Sequence, residues 1–329
     1  TSINEINYVL RNNNPQLALL SATVPDFIRA AGVVATRSHG AKTALSIMSD
    51  QVVSMKIVAA DGKAYEFSLF GIIYSMTFCT EPMFNLHMID TLPLAKDFFV
   101  PSVVKQLFES SDSLQIFYWP FNSFDEQLNS TKDKIWVKQW VRTDEKPTLS
   151  PEEFAAINVL EDNFSLLANI AYKIMFLNAE NTPAITSMLW NEGPGSFSSN
   201  NILQAPDSIH FMSSLTKNLP MNLFGSTRAL LAPNFDPDPN AIYCFIEMAS
   251  YHFTPDFQTF VSPFEQKWIQ NYNVKLHWAK EWEYVPNIKS YLYQAYKEQI
   301  VTFEKIREKY DLNKLFFDNE SFARNFRWC

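Results

Sequence analysis

The stretch SDQVVSMKIVAADGKAYEF, residues 49–67, predicts the fold of the amino-terminal part of the chain. Two segments rich in β-branched and aromatic residues flank an Asp-Gly pair, which favours the tight turn of a β-hairpin. A further β-rich run follows over residues 71–79, and the apolar spacing over residues 2–10 predicts a helix before the hairpin. The first quarter of the chain is therefore predicted to be an α+β layer.

The rest of the chain continues the α+β pattern. The longest helical signal covers residues 151–177, where apolar residues recur every three or four positions and two glutamates stand in the first turn. Strands and helices in this order predict an antiparallel sheet with helices on one face. Strands are predicted at 114–120, 134–142, 208–213, 228–232 and 242–248, and further helices at 100–110, 257–269 and 288–310.

Composition excludes several classes of protein. A chain of 329 residues with 47% hydrophobic content can bury a large core. The net charge of -8 and the pI near 5.2 exclude a nucleic-acid partner, because phosphate binding depends on clustered Lys and Arg. The longest apolar run, residues 69–79, is too short for a transmembrane segment and is predicted to be a buried strand.

The nucleophile and metal motifs that would indicate other chemistries are missing from the sequence. No serine lies in a nucleophile-elbow motif, and the five histidines lack the short spacing of zinc ligands. The cysteines, Cys79, Cys244 and Cys329, are far apart and odd in number, so neither a zinc site nor a disulfide framework is predicted. No secretory signal is visible, and no metal is expected.

Two short stretches contain the candidate catalytic and ligand-binding residues. LHWAKEW, residues 276–282, places an imidazole and an ammonium three residues apart. A straight strand would direct His277 and Lys280 to opposite faces, so a shared site requires a bend; the alternative is a buried edge strand packed through its tryptophans. Small residues before the Ser-His-Gly of residues 38–40 would let backbone N–H groups approach a ligand, and the alternative is an ordinary loop.

These pieces together resemble the FAD-dependent aldonolactone oxidases of the vanillyl-alcohol-oxidase superfamily, which include gulonolactone oxidase, galactonolactone dehydrogenase and arabinonolactone oxidase. The resemblance extends over nearly the whole chain, with its motifs in the family's order. Its motifs are ATRSHG (35–40), SDQVV (49–53), ADG (60–62), YWPF (118–121), Arg228 with Ala232 and Pro233, HWAK (277–280) and IREKYD (306–311).

The resemblance implies a flavoprotein in which residues 1–90 form the second FAD-binding lobe, 91–270 the cap that binds substrate, and 271–329 an arm that returns to the flavin. It implies hydride transfer from the carbinol of a sugar-derived 1,4-lactone to FAD. Ser38, His39 and Gly40 would line the cofactor, Asp50, Val52 and Ile57 would lie near its pyrophosphate and adenine, Arg228 would face the substrate, and His277 and Lys280 would lie near the flavin ring.

Departures from the family pattern leave two hypotheses open. The family's first FAD lobe has no counterpart in the sequence, Ser226 stands where an acidic residue is common, and only seven of 329 residues are glycine, against an average of roughly 7%. Under the first hypothesis the chain is an active oxidase or dehydrogenase whose first lobe comes from a separate chain or segment. Under the second it is a catalytically inactive relic that serves as a structural or assembly subunit. The relatives also imply a mitochondrial or internal-membrane location.

Overall fold

The computed structural model describes a mixed fold of helices and antiparallel sheets. Its strands form one two-stranded, one three-stranded and one six-stranded sheet, and every described pair of strands is antiparallel. The predicted α+β class is confirmed. No helix in the described part of the chain is long and apolar enough to cross a membrane. The described residues are 1–23, 27–40, 42–44, 47–66, 71–120, 132–194, 200–208, 219–247, 257–278, 285–312 and 315.

The predicted hairpin forms the centre of the amino-terminal layer. β2 (Val52–Val58) pairs with β3 (Ala64–Glu66) on one side and with β4 (Ile72–Phe78) on the other. Gly62 in the turn has φ of 76°, a left-handed conformation that glycine adopts without a steric cost. The adjacent Asp61 carboxylate accepts hydrogen bonds from the Lys63 N–H (3.0 Å) and the Tyr65 hydroxyl (2.7 Å), which fix the turn.

The amino-terminal helix, α1 (Ile3–Arg11), begins where the sequence predicts it. Ser2 and Glu5 form a capping box, in which the Ser2 hydroxyl accepts from the Glu5 N–H and the Glu5 carboxylate accepts from the Ser2 N–H. The helix packs with the three-stranded sheet and α2 (Ala30–Ala35) around one hydrophobic cluster. Buried members of this cluster are Ile3, Leu19, Ala22, Ala30, Val33, Val34, Met48, Met55, Ile57 and Ala59.

One prediction about this layer is wrong. The apolar run at residues 69–79 was expected to be a buried strand, but Ile72 is 64% exposed and Tyr74 is 56% exposed. Their strand, β4, has a register shift where Ser75 pairs with Lys56 and Ile73 with Ile57. This shift lets Ile73 contact the cluster together with Met76 and Phe78, while Ile72 and Tyr74 face outward. The outer face is not covered by the described residues.

The six-stranded sheet is the largest element of the fold. Its strands are β6 (Asn85–Thr91), β7 (Ser113–Trp119), β8 (Lys134–Thr143), β9 (Ile202–Gln204), β10 (Leu219–Gly225) and β11 (Ile242–Ile246); β1 (Leu17–Leu19) and β5 (Thr80–Pro82) form the separate pair. The strand order is β11-β10-β7-β8-β6-β9, so strands distant in sequence become neighbours. The helices α3 (Ala95–Phe98) and α4 (Pro101–Glu109) pack on one face, and α5 (Pro151–Leu177) and α6 (Thr182–Glu192) pack on the other. The prediction that helices cover one face is therefore wrong for this sheet.

The carboxy-terminal part departs from two predictions. The helix predicted over 288–310 is divided into α8 (Ile288–Ala295) and α9 (Lys297–Tyr310), because Tyr296 between them has a non-helical φ of -127° and inserts its fully buried ring into the core. The strand predicted at 228–232 is a turn, in which Leu231 has φ of 62°.

The last described helix returns to the first hairpin. The Ala60 N–H donates to the Tyr310 carbonyl (3.4 Å), and the Tyr65 and Tyr310 rings meet edge to face with centroids 5.0 Å apart. A further helix, α7 (Phe257–Tyr272), precedes the 273–278 segment. The predicted domain boundaries near residues 90 and 270 stay a prediction.

Candidate functional site

The predicted cofactor-binding residues Ser38, His39 and Gly40 lie in a closely packed turn after α2. The Ser38 N–H donates to the Val33 carbonyl (3.0 Å), and the Ser38 carbonyl accepts from the Met48 N–H (2.9 Å). A β-carbon at Gly40 would lie 2.1 Å from the Ser21 Oγ and 2.6 Å from a backbone carbonyl oxygen. Glycine at position 40 therefore permits a backbone approach that positions the preceding imidazole.

The structure brings His39 and His277 together from opposite ends of the chain. Their ring centroids are 6.3 Å apart and their planes are nearly perpendicular, at 84°. The ring of Phe245, on the edge strand β11, lies 4.9 Å from the ring of His39. Two residues that the sequence assigned to one flavin site are therefore neighbours, and an aromatic side chain completes the group.

The segment that carries His277 is irregular. Residues 273–278 contain no strand, so the edge-strand alternative is wrong for this part of the motif. The Trp278 Nε1–H donates to the Leu231 carbonyl (2.5 Å), and its ring lies 5.2 Å from the ring of Tyr296. The indole thus fixes the backbone next to His277, whereas Lys280 lies outside the described residues.

The predicted substrate residue Arg228 is exposed. Its Nη2 donates to the Pro237 carbonyl (2.7 Å), in the same loop where the Ser226 hydroxyl donates to the Asp238 carbonyl (2.7 Å). These contacts hold the guanidinium to its own loop. The substrate-facing role of Arg228 stays a prediction.

Asp50 connects the amino-terminal layer to that loop. Its Oδ1 accepts a hydrogen bond from the hydroxyl of buried Thr227 (2.7 Å), and its Oδ2 accepts from the Ile47 N–H (3.4 Å). Val52 and Ile57, predicted near the pyrophosphate and adenine, pack in the hydrophobic cluster of this layer, where Ile57 is fully buried. The observed contacts assign Asp50 a positioning role for residue 227 and its neighbours.

Arg37 is a buried cation that the sequence did not single out. It is 6% exposed and has φ of 57°, an uncommon conformation for a residue with a side chain. Its Nε and Nη2 donate to the Leu230 carbonyl (3.2 and 3.0 Å), and its Nη1 donates to the Val34 carbonyl (3.4 Å). Burial lowers the pKa of Arg37, and the charge of Asp50 opposes that shift. Together Arg37 and Asp50 attach the 227–231 turn to the His39 turn.

A narrow cleft with a cavity volume of about 40 Å³ lies between the amino-terminal layer and the six-stranded sheet. Arg142 forms a two-pronged ion pair with Glu81 (2.5 and 2.9 Å), and the Lys42 ammonium lies 3.9 Å from the same carboxylate. Burial, and then the charge of Arg142, lower the pKa of Lys42, while Glu81 and Asp112 oppose this. Small-molecule pockets usually have roughly 300–1,000 Å³, so this cleft is too small for an organic ligand, and its charged groups connect the two layers. Its lining includes Asn7, Ser21, Lys42, Leu86, Asp112, Trp140 and Arg142.

Metal chemistry has no support in the described part of the chain, where no group of three or more His, Cys, Asp or Glu side chains could hold an ion. The described cysteines, Cys79 and Cys244, are both free thiols. Desolvation by its surroundings raises the pKa of the Cys244 thiol to about 11, although the residue is exposed, so the protonated thiol is favoured at neutral pH.

No family model and no curated protein sequence matches the chain. Among solved structures, cholesterol oxidase from Brevibacterium sterolicum is similar to it with a TM-score of 0.71 and 13% sequence identity, over 99% of this chain and 79% of that one; a histidine-to-alanine mutant of that enzyme gives the same values. A solvent-stable cholesterol oxidase is similar with a TM-score of 0.64 and 16% identity, over 91% and 78% of the two chains. The resemblance to aldonolactone oxidases stays a prediction, and the chain has the mixed, antiparallel-sheet fold of the cholesterol oxidases.

Proposed function

We propose that the chain belongs to an FAD-linked oxidoreductase that oxidises a secondary alcohol, and that its substrate is a sugar-derived 1,4-lactone. The observation that most supports this proposal is the meeting of His39 and His277 beside Phe245. Two imidazoles can supply hydrogen bonds to a flavin ring, and Phe245 can supply an apolar contact. These residues fit a flavin, as does the fold shared with cholesterol oxidases.

The hydrogen bonding of His39 defines which nitrogen would accept a proton. Its Nδ1 lies 3.0 Å from the Gly40 carbonyl oxygen, and because a carbonyl oxygen only accepts, Nδ1 is the donor. The lone pair of the neutral ring is then on Nε2. In this proposal, the proton of the substrate hydroxyl is accepted by Nε2 of His39 or by the neighbouring ring of His277. When bound, FAD would accept the hydride from the carbinol carbon.

The remaining roles follow the family resemblance. Ser38 and Gly40 would hold the cofactor beside His39, and Arg228 and Lys280 would provide the cations that stabilise negative charge on the reduced flavin. A mitochondrial or internal-membrane location is part of the same proposal, and cell fractionation tests it.

Flavin titration tests the cofactor. Purified full chain is titrated with FAD, and binding is followed by the visible absorbance and fluorescence of the flavin. We expect saturable binding that His39→Ala and His277→Ala each weaken by roughly tenfold, as for the loss of a good hydrogen bond, and that His87→Ala leaves unchanged. His87 is the matched control because it lies in β6 of the large sheet. Chain that stays colourless and takes up no FAD contradicts the proposal.

Reduction of the bound flavin without oxygen distinguishes between the possible substrates. We expect a 1,4-lactone of a hexonic acid to bleach the bound flavin and cholesterol to leave it coloured. Bleaching by cholesterol alone would assign a sterol instead. The second candidate, an inactive relic that acts as a structural subunit, is favoured by the low glycine content and predicts that neither compound has an effect because no flavin is retained.

A further inference from the structure

The helix α5 is the longest that the structure describes, and it is apolar on two sides. Its inner side, which includes Phe154, Ile157 and Ala171, packs on the aromatic core of the large sheet. On its outer side four large aliphatic side chains are 49–84% exposed: Val159, Leu166, Ile170 and Leu177. A helix that is apolar on both sides normally has a partner on each, and a continuous exposed apolar patch marks an interaction surface.

The four exposed side chains form one straight stripe. Because an α-helix turns by roughly 100° per residue, all four lie within about 20° of a single line, on the side away from Ile157. Val159 and Leu177 are 18 residues apart, which corresponds to roughly 27 Å along the helix. With positions 163 and 173 the stripe has the 4-3-4-3-4 spacing of a heptad repeat, by which two helices pack along a shared line of contact. We call positions 159, 163, 166, 170, 173 and 177 the α5 seam.

The α5 seam is symmetrical about position 168. Leu166 and Ile170 are each two residues from this position, and Val159 and Leu177 are each nine residues from it. In an antiparallel pair of α5 helices centred there, Leu166 of each copy lies opposite Ile170 of the other, and Val159 lies opposite Leu177. A surface that is complementary to itself across a two-fold axis is what a symmetrical homodimer requires.

The two polar positions of the seam match in the same way. Positions 163 and 173, an asparagine and a lysine, are each five residues from the centre and come opposite one another. The aspartate at position 162 of one helix is then on the same flank as Lys173 of the other. A parallel pair would instead place Lys173 beside its own copy, where like charges repel. Charge therefore favours the antiparallel pair, and a polar position within an apolar seam fixes the register.

A lipid surface fits the outer side of α5 less well. Helices that lie on membranes have Lys and Arg beside their apolar face, because anionic lipids attract them. The sequence of α5 contains four acidic residues and one lysine. This charge pattern disfavours a membrane and leaves a second copy of the chain as the occupant that the seam fits.

We propose that α5 is a dimerisation surface, on which two copies of the chain associate antiparallel through the α5 seam. A 27-residue helix is roughly 40 Å long and about 10 Å wide, so the contact would cover on the order of 800 Å² over the two copies. Interfaces of this size are weak and reversible, so the dimer should exchange with the monomer. The seam uses none of the residues of the proposed flavin site, and dimerisation does not depend on flavin.

Sedimentation equilibrium of the full chain tests the association, at about 1 to 100 µM, where weak interfaces form. We expect the mass to rise with concentration from 38.0 kDa toward twice that value. Leu166→Glu should weaken association by more than about a hundredfold, since each Leu removed from an apolar contact costs roughly tenfold and symmetry removes two. Ile72→Glu, at a position that is 64% exposed on β4, is the matched control and should associate as the wild type does. A constant mass of 38.0 kDa in the wild type, or wild-type association of Leu166→Glu, overturns the proposal.

Cysteine cross-linking tests the orientation with uncharged replacements, and it decides if Leu166→Glu does not fold. A mixture of Val159→Cys and Leu177→Cys chains, with oxidised glutathione as the oxidant, should give a disulfide-linked dimer. Neither variant alone should exceed the background from the three natural cysteines, because equivalent positions are roughly 27 Å apart in the antiparallel pair. Cross-linking of Val159→Cys to itself would indicate a parallel pair and overturn the proposal. A monomeric chain that binds phosphatidylserine vesicles, and no longer does so as Leu166→Glu, would assign the surface to lipid instead.

Discussion

Replacement of Gly40 by alanine should destabilise the chain more than its small volume suggests. The added β-carbon would lie 2.1 Å from the Ser21 Oγ and 2.6 Å from the Ala22 carbonyl oxygen. The Ser21 hydroxyl can rotate away, but the Ala22 carbonyl belongs to a backbone segment that Gln51 fixes, through bonds to the Ser21 N–H (3.1 Å) and carbonyl (2.8 Å). Overpacking of this kind costs about 1–3 kcal/mol.

Gly32 provides the matched control. It lies in α2, and a β-carbon added at this position would have no other atom within 4 Å, so Gly32→Ala should stabilise the helix by about 0.5–1 kcal/mol. Urea unfolding of both variants, followed by tryptophan fluorescence, gives opposite shifts in midpoint if the close approach at Gly40 is real. A wild-type midpoint for Gly40→Ala would refute the packing around the His39 turn. Flavin uptake by Gly40→Ala should fall as well, because His39 would move with the backbone.

Other predictions concern the contacts that hold the site together. Arg37→Lys should destabilise the chain by about 1–3 kcal/mol, since one ammonium cannot reproduce the three guanidinium contacts to Leu230 and Val34; an unchanged urea midpoint would contradict this. Burial raises the pKa of Tyr291 to about 12. The neutral phenol therefore stabilises the fold below its unfolded pKa near 10, and this contribution is lost between pH 10 and 12. The free energy of unfolding of Tyr291→Phe should therefore fall less between pH 10 and 12 than that of the wild type. An equal fall in the two proteins would contradict this prediction.

The sequence predicted the local elements more fully than their arrangement. The hairpin, α1 and α5 follow from turn chemistry, capping and apolar spacing, which act within a few residues. The order of the large sheet does not follow, because β10 lies beside β7 through pairing between residues about one hundred positions apart. The turn around Leu231 carried apolar residues typical of a strand, and its left-handed conformation is imposed by contacts with Arg37 and Trp278.

The residues of the candidate site could also be predicted only in part. His39 and His277 could be selected from sequence because each stands in a recognisable motif, and the fold then placed them side by side. Arg37 could not be selected, since a single Arg in a turn usually lies on the surface. Its burial depends on what packs over it, which one-dimensional patterning does not contain.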